Sequence, residues 1–117
     1  MRFGHIELFV AEPLESMTFY RDILGFSVTT IQADKYVWLQ LGSQELLLRP
    51  IDGLIDSNRA SAYEQTAIGL VLYSDNVAVT VSKLQARGID FVPLPDGCVS
   101  FADPDGHWYQ LVNPEHG

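Results

Sequence analysis

His5 and Glu7 stand two residues apart at the head of the apolar run that ends at Val10. On an extended strand they share a face, with Phe9, while Ile6, Leu8 and Val10 share the other. There Glu7 is placed to orient the imidazole or to act as a general base, or to sit as a carboxylate on a pocket rim. His5 reads as a metal ligand, a polar pocket residue or an ordinary strand histidine. Trp38 and Gln40 alternate with Val37, Leu39 and Leu41, and Trp108 shares a face with Gln110. A tryptophan beside one polar group suits a ligand pocket, although core or dimer-interface packing explains either equally. Arg49 shares a face with Glu45 and Leu47. It either holds an anionic group or ends its strand in solvent. His107 reads as a structural residue of a turn. His116 falls at a chain end expected to be disordered. Cys98 has no His or Asn neighbour in sequence, which favours a small apolar role.

The elements that must position these residues follow from periodicity. A strand at 5–10 is followed by Glu12-Pro13, and proline suits a first helical turn. Leu14, Met17, Tyr20 and Leu24 then recur at helical spacing, widened by Phe19 and Ile23, up to Gly25. Strands are expected at 26–31, 36–41 and 44–49, broken at Ala33-Asp34 and Gly42-Ser43. Residues 51–65 lack a period and read as a linker, with room for one helical turn; loops of this length are often functional.

The pattern then starts again. A strand at 67–73 precedes Ser74-Asp75-Asn76, which offers helix-capping side chains. A helix follows with Val77, Val81 and Leu84 on one face, Lys83 and Arg87 near its end, and Gly88 after it. Strands at 90–92, 99–101 and 107–112 close the chain. They are separated by Pro95-Asp96-Gly97 and by Asp103-Pro104-Asp105-Gly106, the latter matching a type I turn. His5 to Gly25 spans 20 residues and Gly69 to Gly88 spans 19. Two βαβββ modules, about 1–50 and 66–117, are therefore expected within one domain covering 1–117. The fold class is α+β, with a curved mixed sheet around a half-polar cavity and helices outside.

Composition narrows the function. Fifteen acidic against seven basic residues give a net charge of −8, which disfavours nucleic-acid partners. One cysteine permits no intrachain disulfide and no Cys-rich zinc site. There is no signal-like N-terminus and no apolar run of membrane-spanning length, so a cytoplasmic protein is expected.

The stretches at 5–10 (HIELFV), 19–26 (FYRDILGF) and 101–112 (FADPDGHWYQLV) resemble the vicinal oxygen chelate superfamily, with its glyoxalases, bleomycin-resistance proteins, fosfomycin-resistance proteins and extradiol dioxygenases. The resemblance covers nearly the whole chain. It implies paired modules around a U-shaped cavity, often completed in a homodimer, and in the family's enzymes a divalent metal that polarises a substrate with adjacent oxygens. Carried over residue by residue, it places metal-ligand positions at His5, at Glu45 or a neighbour up to Leu47, and at Gln110. The remaining position, commonly His, falls on Gly69, which has no side chain to offer. The missing histidine, the glutamine at 110 and the acidic charge point to a small-molecule-binding protein of the bleomycin-resistance type, with an incomplete or absent metal site and no cofactor expected. The alternative is a metal-dependent lyase, isomerase or dioxygenase in which Glu7 or Glu45 moves a proton. A third reading is a metal-free enzyme using the same carboxylates.

Overall fold

A computed structural model describes residues 1–53 and 60–115. The chain forms two compact units, Met1–Ser57 and Asn58–Gly117. Residues 54–59 of the expected linker, and His116, lie outside the described residues.

The first unit runs β1 (Ile6–Val10), α1 (Pro13–Thr18), β2 (Ser27–Gln32), β3 (Tyr36–Leu41) and β4 (Gln44–Pro50). The sheet order is β1-β4-β3-β2, with β1 parallel to β4 and the other pairs antiparallel. Alternation divides the sheet's two faces. Leu8, Val10, Val37, Leu39, Leu46 and Leu48 are buried on one, the side on which α1 packs against β3 and β4. Tyr20 is fully buried and meets Phe26 edge-to-face at 5.3 Å.

The expected helix is present but changes type. After Thr18 it widens into a π-helical turn over Phe19–Ile23, where the Leu24 N–H donates to the Phe19 carbonyl at 3.2 Å. Pro13, Ser16 and Tyr20 are buried, whereas Leu14, expected to face inward, is 40% exposed. Pro13 occupies the inward position of the first turn instead.

The second unit runs a short 3₁₀ turn (Tyr63–Gln65), then β5 (Leu70–Tyr73), α2 (Val77–Ala86), β6 (Val92–Pro93), β7 (Val99–Ala102) and β8 (Trp108–Val112). Its sheet order is β5-β8-β7-β6, with β5 parallel to β8. Each unit is thus a βαβββ module, and the class is α+β. Asn76 caps α2 by accepting the Val79 N–H at 3.2 Å. Phe101 and Tyr109 stack at 5.3 Å on the face that shares Leu111. The 67–73 strand proves shorter. Leu70 pairs with Tyr109, and the register places Ile68 beside His107. Residues 67–69 lie outside the ladder, which begins at Leu70.

Asp103 is the buried anchor of the turn that precedes β8. Its Oδ1 accepts the N–H groups of Asp105 (3.0 Å) and His107 (2.8 Å), and its Oδ2 accepts from His107 Nδ1 at 2.7 Å. The Gly106 N–H closes the expected turn on the Asp103 carbonyl at 3.1 Å.

Candidate functional site

The face of the first sheet away from α1 carries the chemistry. The register sets Glu7 beside Leu47, Phe9 beside Arg49, Trp38 beside Leu47 and Gln40 beside Glu45. The parallel neighbours β1 and β4 therefore bring residues 42 positions apart into contact. Arg49 Nη1 donates to Glu7 Oε1 at 2.8 Å, and His5 Nε2 donates to Glu7 Oε2 at 2.7 Å. The Glu7 carboxylate is held at both oxygens. The Arg49 hydrogen bond first, and that of His5 second, hold its pKa below the ordinary glutamate range. The same pair raises the Arg49 pKa.

Aromatic rings frame this chain of charges. The Arg49 guanidinium lies 5.2 Å from the Phe9 ring centroid and 5.8 Å from that of Tyr36, a cation–π sandwich. The Arg49 Nε is buried and has no hydrogen-bond partner. His5 meets Trp38 edge-to-face at 4.5 Å, and the Trp38 indole N–H donates to Gln32 Oε1 at 3.0 Å. The surface is amphipathic, with three aromatic rings, one guanidinium and one imidazole. It suits a planar molecule carrying an oxygen acceptor. Phe9 and Tyr36 had not been singled out from sequence; their signal is the period-2 alternation with Arg49 and Trp38.

The other expected residues are placed as follows. Gln40 Nε2 donates to the Gly42 carbonyl at 2.9 Å, within its own hairpin. Glu45 and His5 line one open cleft of about 520 Å³ at the N-terminal end of β1, together with Arg2, Phe3 and Ser43. Trp108 and Gln110 belong to the second unit. Trp108 is buried, and its indole N–H donates to the Ala60 carbonyl at 2.9 Å, beneath the chain that leads into β5. Gln110 lines a separate pocket beside Tyr63. The structure thus brings His5, Glu7, Arg49 and Trp38 into one network, and His5 and Glu45 into one cleft.

A divalent metal needs several side-chain donors converging on one point. Among the described residues no group of three His, Cys, Asp or Glu side chains converges. His5 Nε2 is bonded to Glu7. At Gly69 a Cβ would run into the Tyr63 phenol, whose Cζ stands 2.8 Å from that point. Within either unit, the residues present do not fit a three-ligand centre.

A family model for the Glyoxalase/Bleomycin resistance protein/Dioxygenase superfamily matches residues 2–111. The chain belongs to this superfamily. Solved structures agree on the fold. A lactoylglutathione lyase from Agrobacterium tumefaciens superimposes with TM-score 0.67 at 22% identity, over 98% of this chain and 95% of its own. The fosfomycin resistance protein FosX from Listeria monocytogenes gives 0.72 at 19% identity, over 96% and 90%. A FosX mutant complexed with Mn(II) and 1S,2S-dihydroxypropylphosphonic acid gives 0.67 at 19%, over 95% and 90%. No curated protein matches the sequence. Among the described residues no helix is long and apolar enough to cross a membrane.

Proposed function

We propose that this superfamily member binds a small planar, oxygen-bearing molecule on the open face of its first sheet and does so without a resident metal, in the manner of a bleomycin-resistance-type binder. One observation carries the reading. The histidine at the first-strand position is tied to Glu7, which is tied in turn to Arg49. That chain organises an aromatic recognition surface and leaves His5 Nε2 engaged rather than presented to a metal. Gly69 under Tyr63 and the neutral amide of Gln110 support the same reading. Trp38, Phe9 and Tyr36 supply stacking area, and Arg49 supplies donors for an acceptor on the ligand. A homodimer is the assembly that the family resemblance suggests.

The test is metal analysis of untagged protein, with a thermal-shift screen of planar aromatic acids, amides and phenols on wild type and Trp38→Ala. Binding to metal-free protein that is lost in Trp38→Ala is the expected result. Stoichiometric metal that disappears in His5→Ala would overturn it.

A second reading rests on the cleft shared by His5 and Glu45. There the protein is a lyase, isomerase or dioxygenase, with Glu45 or Glu7 as the proton-moving carboxylate. Such an enzyme would lose turnover in Glu45→Gln while keeping its fold.

A further inference from the structure

An aspartate followed by glycine is the acidic dipeptide most prone to rearrange without an enzyme, because glycine has no Cβ to obstruct attack by its own nitrogen on the aspartate Cγ. The chain holds three such pairs, Asp52-Gly53, Asp96-Gly97 and Asp105-Gly106. Their sequence signal is the same. The structure separates them.

Two of the three are locked in turns. The Gly97 N–H donates to the Leu94 carbonyl at 3.0 Å, and Asp96 Oδ1 accepts the Cys98 N–H at 2.9 Å. The Gly106 N–H donates to the Asp103 carbonyl at 3.1 Å, and the Asp105 N–H to Asp103 Oδ1 at 3.0 Å, inside the turn anchored on that buried carboxylate. In both, the nitrogen that would have to attack has its N–H committed to a carbonyl, and giving up that bond opens the turn.

Asp52-Gly53 is built differently. Just past the end of β4 at Pro50, the Ile51 N–H donates to the Val10 carbonyl at 2.9 Å. The next two residues are exposed. Among the described residues neither the Asp52 carboxylate nor the Gly53 N–H makes a hydrogen bond. Gly53 adopts a φ of 95°, and nothing stands within 4 Å of the point where a Cβ would project. Neither bonding nor crowding opposes rearrangement at this pair.

We propose that Asp52-Gly53 is a modification site at which the folded protein converts to isoaspartate. The Gly53 nitrogen bonds to the Asp52 Cγ, and its proton leaves with the hydroxyl of the carboxylic acid as water, closing a succinimide ring. Water then adds at one of the two ring carbonyls. Breaking the bond from nitrogen to Cγ restores aspartate. Breaking the bond from nitrogen to the main-chain carbonyl carbon leaves the chain running through Cβ and Cγ, with a free α-carboxylate as the new side group. The water lost is regained, so mass is unchanged and no oxidant or cofactor takes part. The α-carboxylate is the group that an isoaspartyl carboxyl methyltransferase esterifies.

The test is ageing of the full-length protein at mildly acidic pH, folded and in urea, followed by trypsin. Trypsin spares Arg49-Pro50, so Asp52 falls in fragment 36–59, and Asp96 and Asp105 fall in fragment 88–117. Electron-transfer dissociation locates isoaspartate in each fragment, and methyl transfer from labelled S-adenosylmethionine by an isoaspartyl methyltransferase counts it. In urea all three pairs should convert at similar rates. In the folded protein, conversion should continue at Asp52 at nearly the unfolded rate and fall several-fold at Asp96 and Asp105. Asp52→Glu lengthens the ring that must close and should remove most methyl acceptance by the folded protein; it changes only an exposed side chain, so the fold is kept. Folded protein that stays free of isoaspartate at Asp52 while the urea sample converts would overturn the proposal. So would equal conversion at Asp96 or Asp105 in the folded state, or methyl acceptance unchanged in Asp52→Glu.

Discussion

Glu7 and Arg49 stand on neighbouring parallel strands, and the guanidinium Nη1 meets the carboxylate at 2.8 Å between two aromatic rings. The sign of the resulting pH dependence follows from the depressed Glu7 pKa. The folded state holds the carboxylate ionised to lower pH than the unfolded chain does. Its contribution is complete above the unfolded value of about 4.3 and is lost as pH falls through the lower folded value. Urea midpoints measured from pH 6 downward should therefore drop in wild type. Glu7→Gln should be less stable at pH 6 and show a flatter acid limb. Parallel limbs in the two proteins would mean that Glu7 is not coupled to Arg49.

Arg49→Lys should damage the site more than its charge suggests. Lysine keeps the positive charge but lacks the planar fork that lies between Phe9 and Tyr36 while donating to Glu7. The expected result is weaker ligand binding in Arg49→Lys, nearly as weak as in Arg49→Ala, with a smaller loss of thermal stability. Full binding in Arg49→Lys would show that the site uses charge alone.

The Tyr63–Gly69 interlock predicts a coupled pair. Gly69→Ala forces a methyl group into the phenol, an overpacking cost of about 1 kcal/mol or more. In a Tyr63→Ala background the obstacle is gone, and the same substitution should cost much less. A double-mutant cycle by chemical denaturation measures the difference. Additive effects would mean that the ring moves aside freely.

These cases also show what the sequence could and could not reveal. The i, i+2 spacing of His5 and Glu7 was enough to set them on one face, and the two side chains do meet, at 2.7 Å. Asn76 as a cap and Gly106 as the end of a turn were equally local signals. Arg49 with Glu7 was not local, because the pairing depends on β1 lying parallel to β4 in one register. Leu14 was misread because the inward face of the helix runs through Pro13, Ser16 and Tyr20, one position round from the apolar stripe that starts at Leu14, and apolarity alone does not show that a proline and a serine turn inward. Gly69 could be seen to lack a ligand, but nothing local says that Tyr63 fills the gap. That contact is set by the route of residues 60–66.

Trp108→Phe tests the same segment from its other end. The substitution keeps an aromatic ring on β8 but removes the indole N–H that the Ala60 carbonyl accepts at 2.9 Å. The loss should cost about 1 kcal/mol, the usual net worth of one such bond. It should also loosen the segment, so the N–H groups of Gln65 and Thr66, bonded at 3.0 and 3.2 Å within it, should exchange faster with solvent. Exchange protected as in wild type would mean that Tyr63 alone holds the segment.

The turn between β2 and β3 carries strain that can be relieved. Ala33 and Asp34 both adopt positive φ, 52° and 53°, and the Lys35 N–H closes on the Gln32 carbonyl at 3.0 Å. This is the geometry that favours Asn-Gly, whereas alanine in the left-handed region costs roughly 1–2 kcal/mol. The double substitution Ala33→Asn with Asp34→Gly should therefore stabilise the protein by about 1 kcal/mol, a rise of about 4 °C in Tm for a domain of this size. Calorimetry decides it. A lowered Tm would show that the Asp34 side chain contributes more to the hairpin than its backbone strain costs.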